Sequence, residues 1–130
     1  MLVADRRVVL VTNGVVLVLL LALFAFNKGE NAGASFLLAL APIVSLVAFV
    51  GETNSRTLLA ICGGVNAFIG FLMLLAAVSA LVAPFAQGMF LLAFVVLCLF
   101  ASVQIYSALV SFRAWSAAGN RTGEQFRRNV

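Results

Sequence analysis

The sequence predicts an all-α polytopic membrane protein, a four-transmembrane-helix up-down bundle. The first observation is that residues 57–112 contain no Asp, Glu, Lys, Arg or His. As a helix, this stretch would be about 80 Å long. The hydrocarbon core of a bilayer is about 30 Å thick, so two crossings are expected there. Two further uncharged runs, residues 8–27 and 31–51, are each long enough for one crossing.

The composition supports the same class. Hydrophobic residues make up 65% of the chain and charged residues only 9%, whereas soluble domains contain about 25% charged residues. Four spans occupy nearly all of the 130 residues, which leaves no room for a separate soluble domain. We therefore expect one transmembrane domain covering residues 1–130.

The distribution of charge predicts the orientation. All twelve charged residues lie at the ends of the apolar runs, and four crossings would place seven of the eight Lys and Arg residues on the side of the two termini. Only Lys28 would lie on the other side. Because short cytoplasmic loops are enriched in Lys and Arg, both termini are predicted to be cytoplasmic, in a bacterial inner (plasma) membrane. Residues 8–26 exceed the usual length of a signal-peptide apolar region and are interpreted as a retained helix.

The net charge of +4 also raises the possibility of a nucleic-acid partner. The topology explains the basic residues better, so no nucleic-acid binding is expected and membrane lipids are the predicted partners. The basic tail, residues 116–130, is expected to lie against anionic headgroups, where each basic residue contributes about 1 kcal/mol. Trp115 is suited to anchor the chain in the headgroup zone.

The apolar runs predict helices over residues 7–26, 32–50, 55–82 and 84–115. In the second helix, Pro42 should cause a bend and leave the carbonyl of Leu38 without its usual donor. The third and fourth helices are expected to meet at Pro84. The polar links at residues 27–31 and 51–54 are short, which favours antiparallel neighbours.

The third predicted helix carries small residues at helical spacing, Gly63, Ala67 and Gly70. Lipid tails are as apolar as leucine, so membrane helices associate by bringing their backbones close over small residues. These three residues are therefore predicted to form a helix-packing face, against another helix of this chain or of a second copy.

No catalytic, cofactor-binding or metal-binding residues are predicted. The chain has no histidine, the usual axial ligand of haem and the usual nitrogen ligand of zinc. Cys62 and Cys98 lack metal-ligand spacing, and their depths along antiparallel helices should differ by about 12 Å. A disulfide is therefore not expected, and both cysteines are interpreted as small packing residues.

Three amides are the polar candidates inside the spans: Asn13, Asn66 and Gln104. Counted from the helix ends, they lie about 9, 15 and 12 Å deep, in the cytoplasmic half of the membrane. Asn66 and Gln104 are expected at similar depths, because their path lengths from Pro84 are nearly equal. The amides either stabilise helix association through hydrogen bonds or line a polar cleft that opens to the cytoplasm.

Four short helices in about 130 residues resemble, in topology only, the small multidrug-resistance transporters. That family depends on a membrane-embedded glutamate in its first helix, where this chain offers only Asn13. Proton-coupled transport needs an ionisable group in the membrane, so the mechanism of that family does not extend to this sequence.

Two functions remain. The first is an accessory or structural subunit of a larger membrane assembly, without a catalytic site of its own. The second is a small oligomeric carrier or flippase for a hydrophobic or lipid-linked substrate. The corresponding partners are other membrane subunits or further copies of the chain. An enzyme is disfavoured, since no acid, base or nucleophile lies where a substrate would meet it.

Overall fold

A computed structural model describes residues 2–26, 32–50, 55–82 and 87–128 of the chain. Apart from Ser55, all of these residues lie in four helices: α1 (Leu2–Phe26), α2 (Ala32–Val50), α3 (Arg56–Val82) and α4 (Gln87–Arg128). The predicted all-α architecture is confirmed. Three helices are long and apolar enough to span a membrane, through the segments Val3–Phe26, Arg56–Ser79 and Leu91–Gly119, and α2 is a shorter apolar helix.

Two helix bounds differ from the sequence prediction by five residues or more. Helix α1 begins at Leu2 rather than residue 7, because its charged residues continue the helix instead of preceding it. Helix α4 continues to Arg128, so most of the predicted tail, residues 116–130, is helical. This region contains no proline to end the helix. The predicted turns at 27–31, 51–54 and Pro84 lie outside the described residues.

Side-chain contacts show that α1 and α2 are antiparallel, as are α3 and α4. Arg6, near the start of α1, reaches the carbonyls of Phe49 and Val50 at the end of α2. Between α3 and α4, Gly63 lies against Phe112 and Gly70 against Ile105. A step of seven residues forward along α3 therefore corresponds to a step of seven residues back along α4, so the two helices are antiparallel.

The buried apolar side chains form two clusters at different levels of the bundle. One cluster lies toward the end that carries the start of α1 and contains Val9, Ala48, Phe49, Leu59, Cys62 and Val110. The other lies farther along the helices and contains Ala41, Ile69, Met73 and Ala101. Polar side chains are buried between and beside these clusters.

The outer surface is apolar. Large hydrophobic side chains such as Val18, Phe71 and Leu99 are each more than half exposed. Soluble proteins avoid continuous apolar surface on this scale. An outer surface of this kind, together with membrane-length helices, is that of a protein embedded in lipid.

Candidate functional site

Every helix contributes polar side chains to the centre of the bundle. We call this set the polar interior: Asn13 of α1, Ser45 of α2, Cys62 and Asn66 of α3, and Gln104, Ser107 and Ser111 of α4. Gln104 is 1% exposed and the other six are fully buried. The bundle therefore encloses these side chains and does not present them to an open cleft.

Helical periodicity places these residues together. Side chains three, four or seven positions apart lie on the same face of a helix. Gln104, Ser107 and Ser111 follow this spacing on α4, and Cys62 and Asn66 follow it on α3. Helices α3 and α4 thus present a polar stripe inward, α1 and α2 each present one polar residue inward, and all four carry large hydrophobic residues on their outer faces.

Asn66 connects α3 to α2. Its Nδ2 donates to Ser45 Oγ at 2.9 Å and to the carbonyl of Cys62, one turn earlier, at 2.7 Å. The Ser45 hydroxyl lies 3.2 Å from Asn66 Oδ1 and 2.8 Å from the carbonyl of Ala41. The Asn66 amide and the Ser45 hydroxyl are therefore hydrogen-bonded to each other across the interface between α3 and α2.

Helix α4 extends this network to α1 and α3. Asn13 Nδ2 donates to Ser107 Oγ at 2.8 Å and to the carbonyl of Val9 at 2.9 Å. One turn farther along α4, Ser111 Oγ lies 3.2 Å from Cys62 Sγ and donates to the carbonyl of Ser107 at 2.8 Å. One connected set of polar contacts thus joins all four helices.

Three buried atoms of the polar interior have no hydrogen-bond partner among the described residues. They are Asn13 Oδ1 and both amide atoms of Gln104, Nε2 and Oε1. Gln104 lies opposite Gly70, whose position for a Cβ atom is 3.4 Å from the Cβ of Gln104. Of the three amides predicted from the sequence, Asn66 and Asn13 make bonds between helices, whereas Gln104 is enclosed without a partner.

The structure corrects the expected depths of Asn66 and Gln104. The register of α3 and α4 places Asn66 level with about Leu109. It therefore lies about five residues, or 7.5 Å, from the level of Gln104. The expectation assumed that both helices extend symmetrically from Pro84, and the observed register is shifted from that symmetry. Asn66 consequently pairs with α2 rather than with Gln104.

The small residues of α3 occupy different environments. Gly63 and Gly70 are buried against α4. A Cβ atom at Gly63 would lie 2.9 Å from the ring of Phe112, and one at Gly70 would lie 3.1 Å from Cγ1 of Ile105. Ala67 is exposed and lines a shallow apolar groove beside the α3–α4 contact. The two glycines therefore allow the close approach of the helices, and Ala67 lies at its edge.

A girdle of contacts involving charged side chains lies at the end of the bundle where α1 and α3 begin. Asp5 Oδ1 accepts a hydrogen bond from the Tyr106 hydroxyl at 3.1 Å, which links α1 to α4. The guanidinium of Arg56 lies 5.0 Å from the ring centroid of Trp115, which links α3 to α4. The sequence analysis identified none of these pairs, because a single sequence does not show which helix ends lie side by side.

An apolar groove separates α1 and α2 toward their other end. It has a volume of about 340 Å³, and the described residues that line it are all apolar, namely Leu17, Leu20, Leu21, Phe24, Phe36, Ala39 and Ile43. Polar interior and groove thus occupy different levels of the bundle.

The chemistry available in the polar interior is limited to hydrogen bonding by amides, hydroxyls and one thiol. Within the described ranges, no three His, Cys, Asp or Glu residues are grouped so as to hold a metal ion. Cys62 and Cys98 are free thiols, and Cys62 contacts polar atoms rather than only apolar ones.

No known protein family, curated protein or solved structure matches this chain.

Proposed function

We propose that this chain is an accessory or structural subunit of a larger membrane assembly, without a catalytic site of its own. One observation carries the proposal. The amides that would have to handle a substrate, Asn13, Asn66 and Gln104, are at most 1% exposed. Two of them are engaged in hydrogen bonds between helices. Such side chains hold a bundle together rather than line a path for a solute.

The outward faces support the same role. Once the polar groups face inward, large apolar side chains remain on α1, α3 and α4. In a membrane, helices associate through packing and interhelical hydrogen bonds rather than through hydrophobic burial. A small rigid bundle with a uniform apolar exterior is suited to contact other membrane helices, from other subunits or from further copies.

The proposed location is a bacterial inner membrane with both termini in the cytoplasm. The described basic residues support this orientation. Arg6 and Arg7 lie at the start of α1, Arg56 lies at the start of α3, and Arg113 lies on α4 two residues before Trp115, which Arg56 contacts. Short loops on the cytoplasmic side of a membrane carry an excess of Lys and Arg. Reporter fusions after residue 130 and within residues 27–31 test the orientation, and a cytoplasmic signal from 27–31 would reverse it.

The decisive experiment is mild solubilisation of the native membrane, followed by purification through a tag and measurement of the mass of the particle. A stoichiometric larger partner is expected. Asn66→Leu should co-purify the same partner, because its effect is confined to stability within the bundle. A homogeneous particle containing only this chain and lipid would exclude the subunit role.

The second candidate function is an oligomeric carrier or flippase for a hydrophobic or lipid-linked substrate. The groove between α1 and α2 favours it, because its wholly apolar lining matches a hydrocarbon chain. Phe24→Trp would narrow the groove. Loss of lipid transfer by that variant in proteoliposomes, with transfer retained in the exposed-surface control Phe68→Trp, would support the carrier over the subunit.

A further inference from the structure

We propose that the bundle binds ordered water inside the membrane, between the amides of Gln104 and Asn13. This internal hydration site is independent of whether the chain is a subunit or a carrier. It follows from the unpartnered atoms of the polar interior and from the small residues beside Gln104.

The first argument is the hydrogen-bonding deficit. Gln104 Nε2, Gln104 Oε1 and Asn13 Oδ1 are buried without a partner among the described residues. A buried amide without hydrogen bonds is strongly unfavourable in an apolar medium. Buried water characteristically makes two to four hydrogen bonds to polar groups of this kind.

The second argument is proximity. Asn13 is bonded to Ser107, and Gln104 lies three residues before Ser107 on the same face of α4. Side chains at this spacing are about 5–6 Å apart. Both amides therefore lie beside Ser107, and we take one or two water molecules to join them. A single water can donate to both unpartnered oxygens.

A further acceptor lies in the same layer of the bundle. Pro42 has no N–H, so the carbonyl of Leu38 lacks its usual helical donor. Leu38 packs against the cluster that contains Ala101, and Ala101 lies three residues before Gln104 on α4. Water that accepts from Gln104 Nε2 can donate to this carbonyl. The proline and the glutamine thus provide complementary groups.

Small side chains lie beside Gln104. Ala101 lies one turn before Gln104 on α4 and packs in the same buried cluster as Ala41 of α2, so each contributes a single methyl group to this layer. Neither alanine has a side-chain hydrogen-bonding group, so neither can bind the unpartnered amide atoms of Gln104. Interior water is retained where two to four polar atoms converge on a space large enough for one molecule.

The test uses the full chain in lipid nanodiscs with ¹⁵N-labelled glutamine. We expect cross-relaxation between the Gln104 Nε2 protons and water, of the sign given by a long-lived bound molecule. Gln104→Met identifies the signal by removing it. The matched control is Ser102→Ala, which deletes an exposed hydroxyl bonded only to the carbonyl of Cys98 on the same helix and should leave the signal unchanged.

A wild-type spectrum in which the Gln104 amide shows no contact with water overturns the proposal. Thermal unfolding gives a second measurement that does not depend on spectral assignment. If water completes the network, Gln104→Met lowers the unfolding temperature because Asn13 and the water lose a partner. If the site is dry, the substitution removes an unsatisfied amide and raises the unfolding temperature, which contradicts the proposal.

Discussion

The helix pairs α3–α4 and α1–α2 are both antiparallel, yet they pack differently. In α3–α4, Gly63 and Gly70 let side chains of α4 approach the backbone of α3. In α1–α2, Arg6 joins the helices at one end through the carbonyls of Phe49 and Val50. Toward the other end, leucine and phenylalanine side chains of α1 face Phe36, Ala39 and Ile43 of α2 across a groove of about 340 Å³.

The difference shows what determines close packing in this bundle. Both interfaces are apolar, so hydrophobicity alone does not distinguish them. At Gly63 and Gly70 no side chain of α3 stands between the helices, so α4 packs directly on the α3 backbone. The α1–α2 groove is lined instead by larger side chains together with Ala39. Polar contacts then determine which helix faces meet. Asn66 joins α3 to α2 in the centre of the bundle, and Arg6 joins α1 to the end of α2.

The largest expected effect is that of Gly70→Leu. The atoms opposite Gly70 include the backbone nitrogen of Ile105 at 3.5 Å from the Cβ position, and a helix backbone cannot move aside locally. We expect a loss of about 3 kcal/mol in the free energy of unfolding, measured by denaturant titration in mixed micelles. Gly63→Leu should cost less, because the Phe112 ring opposite it is 43% exposed and can rotate.

The matched control is Gly64→Leu. Gly64 is exposed on the same helix and has no atom within 4 Å of its Cβ position. Its substitution should change the unfolding free energy by less than about 1 kcal/mol. Equal destabilisation by Gly64→Leu and Gly70→Leu would show that loss of glycine itself, rather than contact with α4, determines the outcome.

A double-mutant cycle measures the polar contact between α2 and α3. Asn66→Leu and Ser45→Ala each remove one side of the same pair. We expect a coupling energy of about 0.6 kcal/mol, the usual value for hydrogen bonds between membrane helices. Additive single effects would show that each side chain is satisfied by its own helix. Ser79→Ala is the control, since its exposed hydroxyl bonds only to the carbonyl of Leu75.

Arg6→Met tests the polar end of the α1–α2 pair. The guanidinium binds the last carbonyls of α2, where a cation also interacts favourably with the helix dipole. The expected loss in unfolding free energy is about 0.5–1 kcal/mol at low salt. Arg7→Met, at an exposed neighbouring position, should have a smaller effect. The interpretation fails if the two variants are equally stable.

The smallest expected effect is that of Ala39→Leu, which adds side-chain volume to the α1–α2 groove. Ala39 lines the groove and has room beside it, so the unfolding free energy should change by less than about 0.5 kcal/mol. Ala41→Leu, two residues later, should cost about 1–3 kcal/mol because Ala41 is fully buried. Similar thermal midpoints for the two variants would indicate that α2 is loosely packed on every side.

The sequence predicts the class and number of helices because uncharged runs of membrane length permit few alternatives. It also identifies Asn13, Asn66 and Gln104, since amides within apolar runs are conspicuous. It does not predict which partner each amide has. That depends on the register of α3 against α4, set by packing at Gly63 and Gly70 rather than by path length from Pro84.

The girdle of charged contacts is equally inaccessible from the sequence. Asp5 and Tyr106 are separated by 101 positions in the chain, and no local pattern marks them as a pair. The continuation of α4 was missed for a different reason. A change from apolar to polar composition marks where a helix leaves the membrane, and it does not mark where the helix ends.

The unbroken length of α4 has a mechanical consequence. Its 42 residues correspond to about 63 Å, roughly twice the hydrocarbon thickness of a bilayer. Arg56, the first residue of α3, lies beside Gly119, so the last nine residues of α4 extend past the start of its partner. No loop interrupts α4 between that projecting end and the glycine contacts with α3. A displacement of the projecting end can therefore be passed to those contacts along one helix.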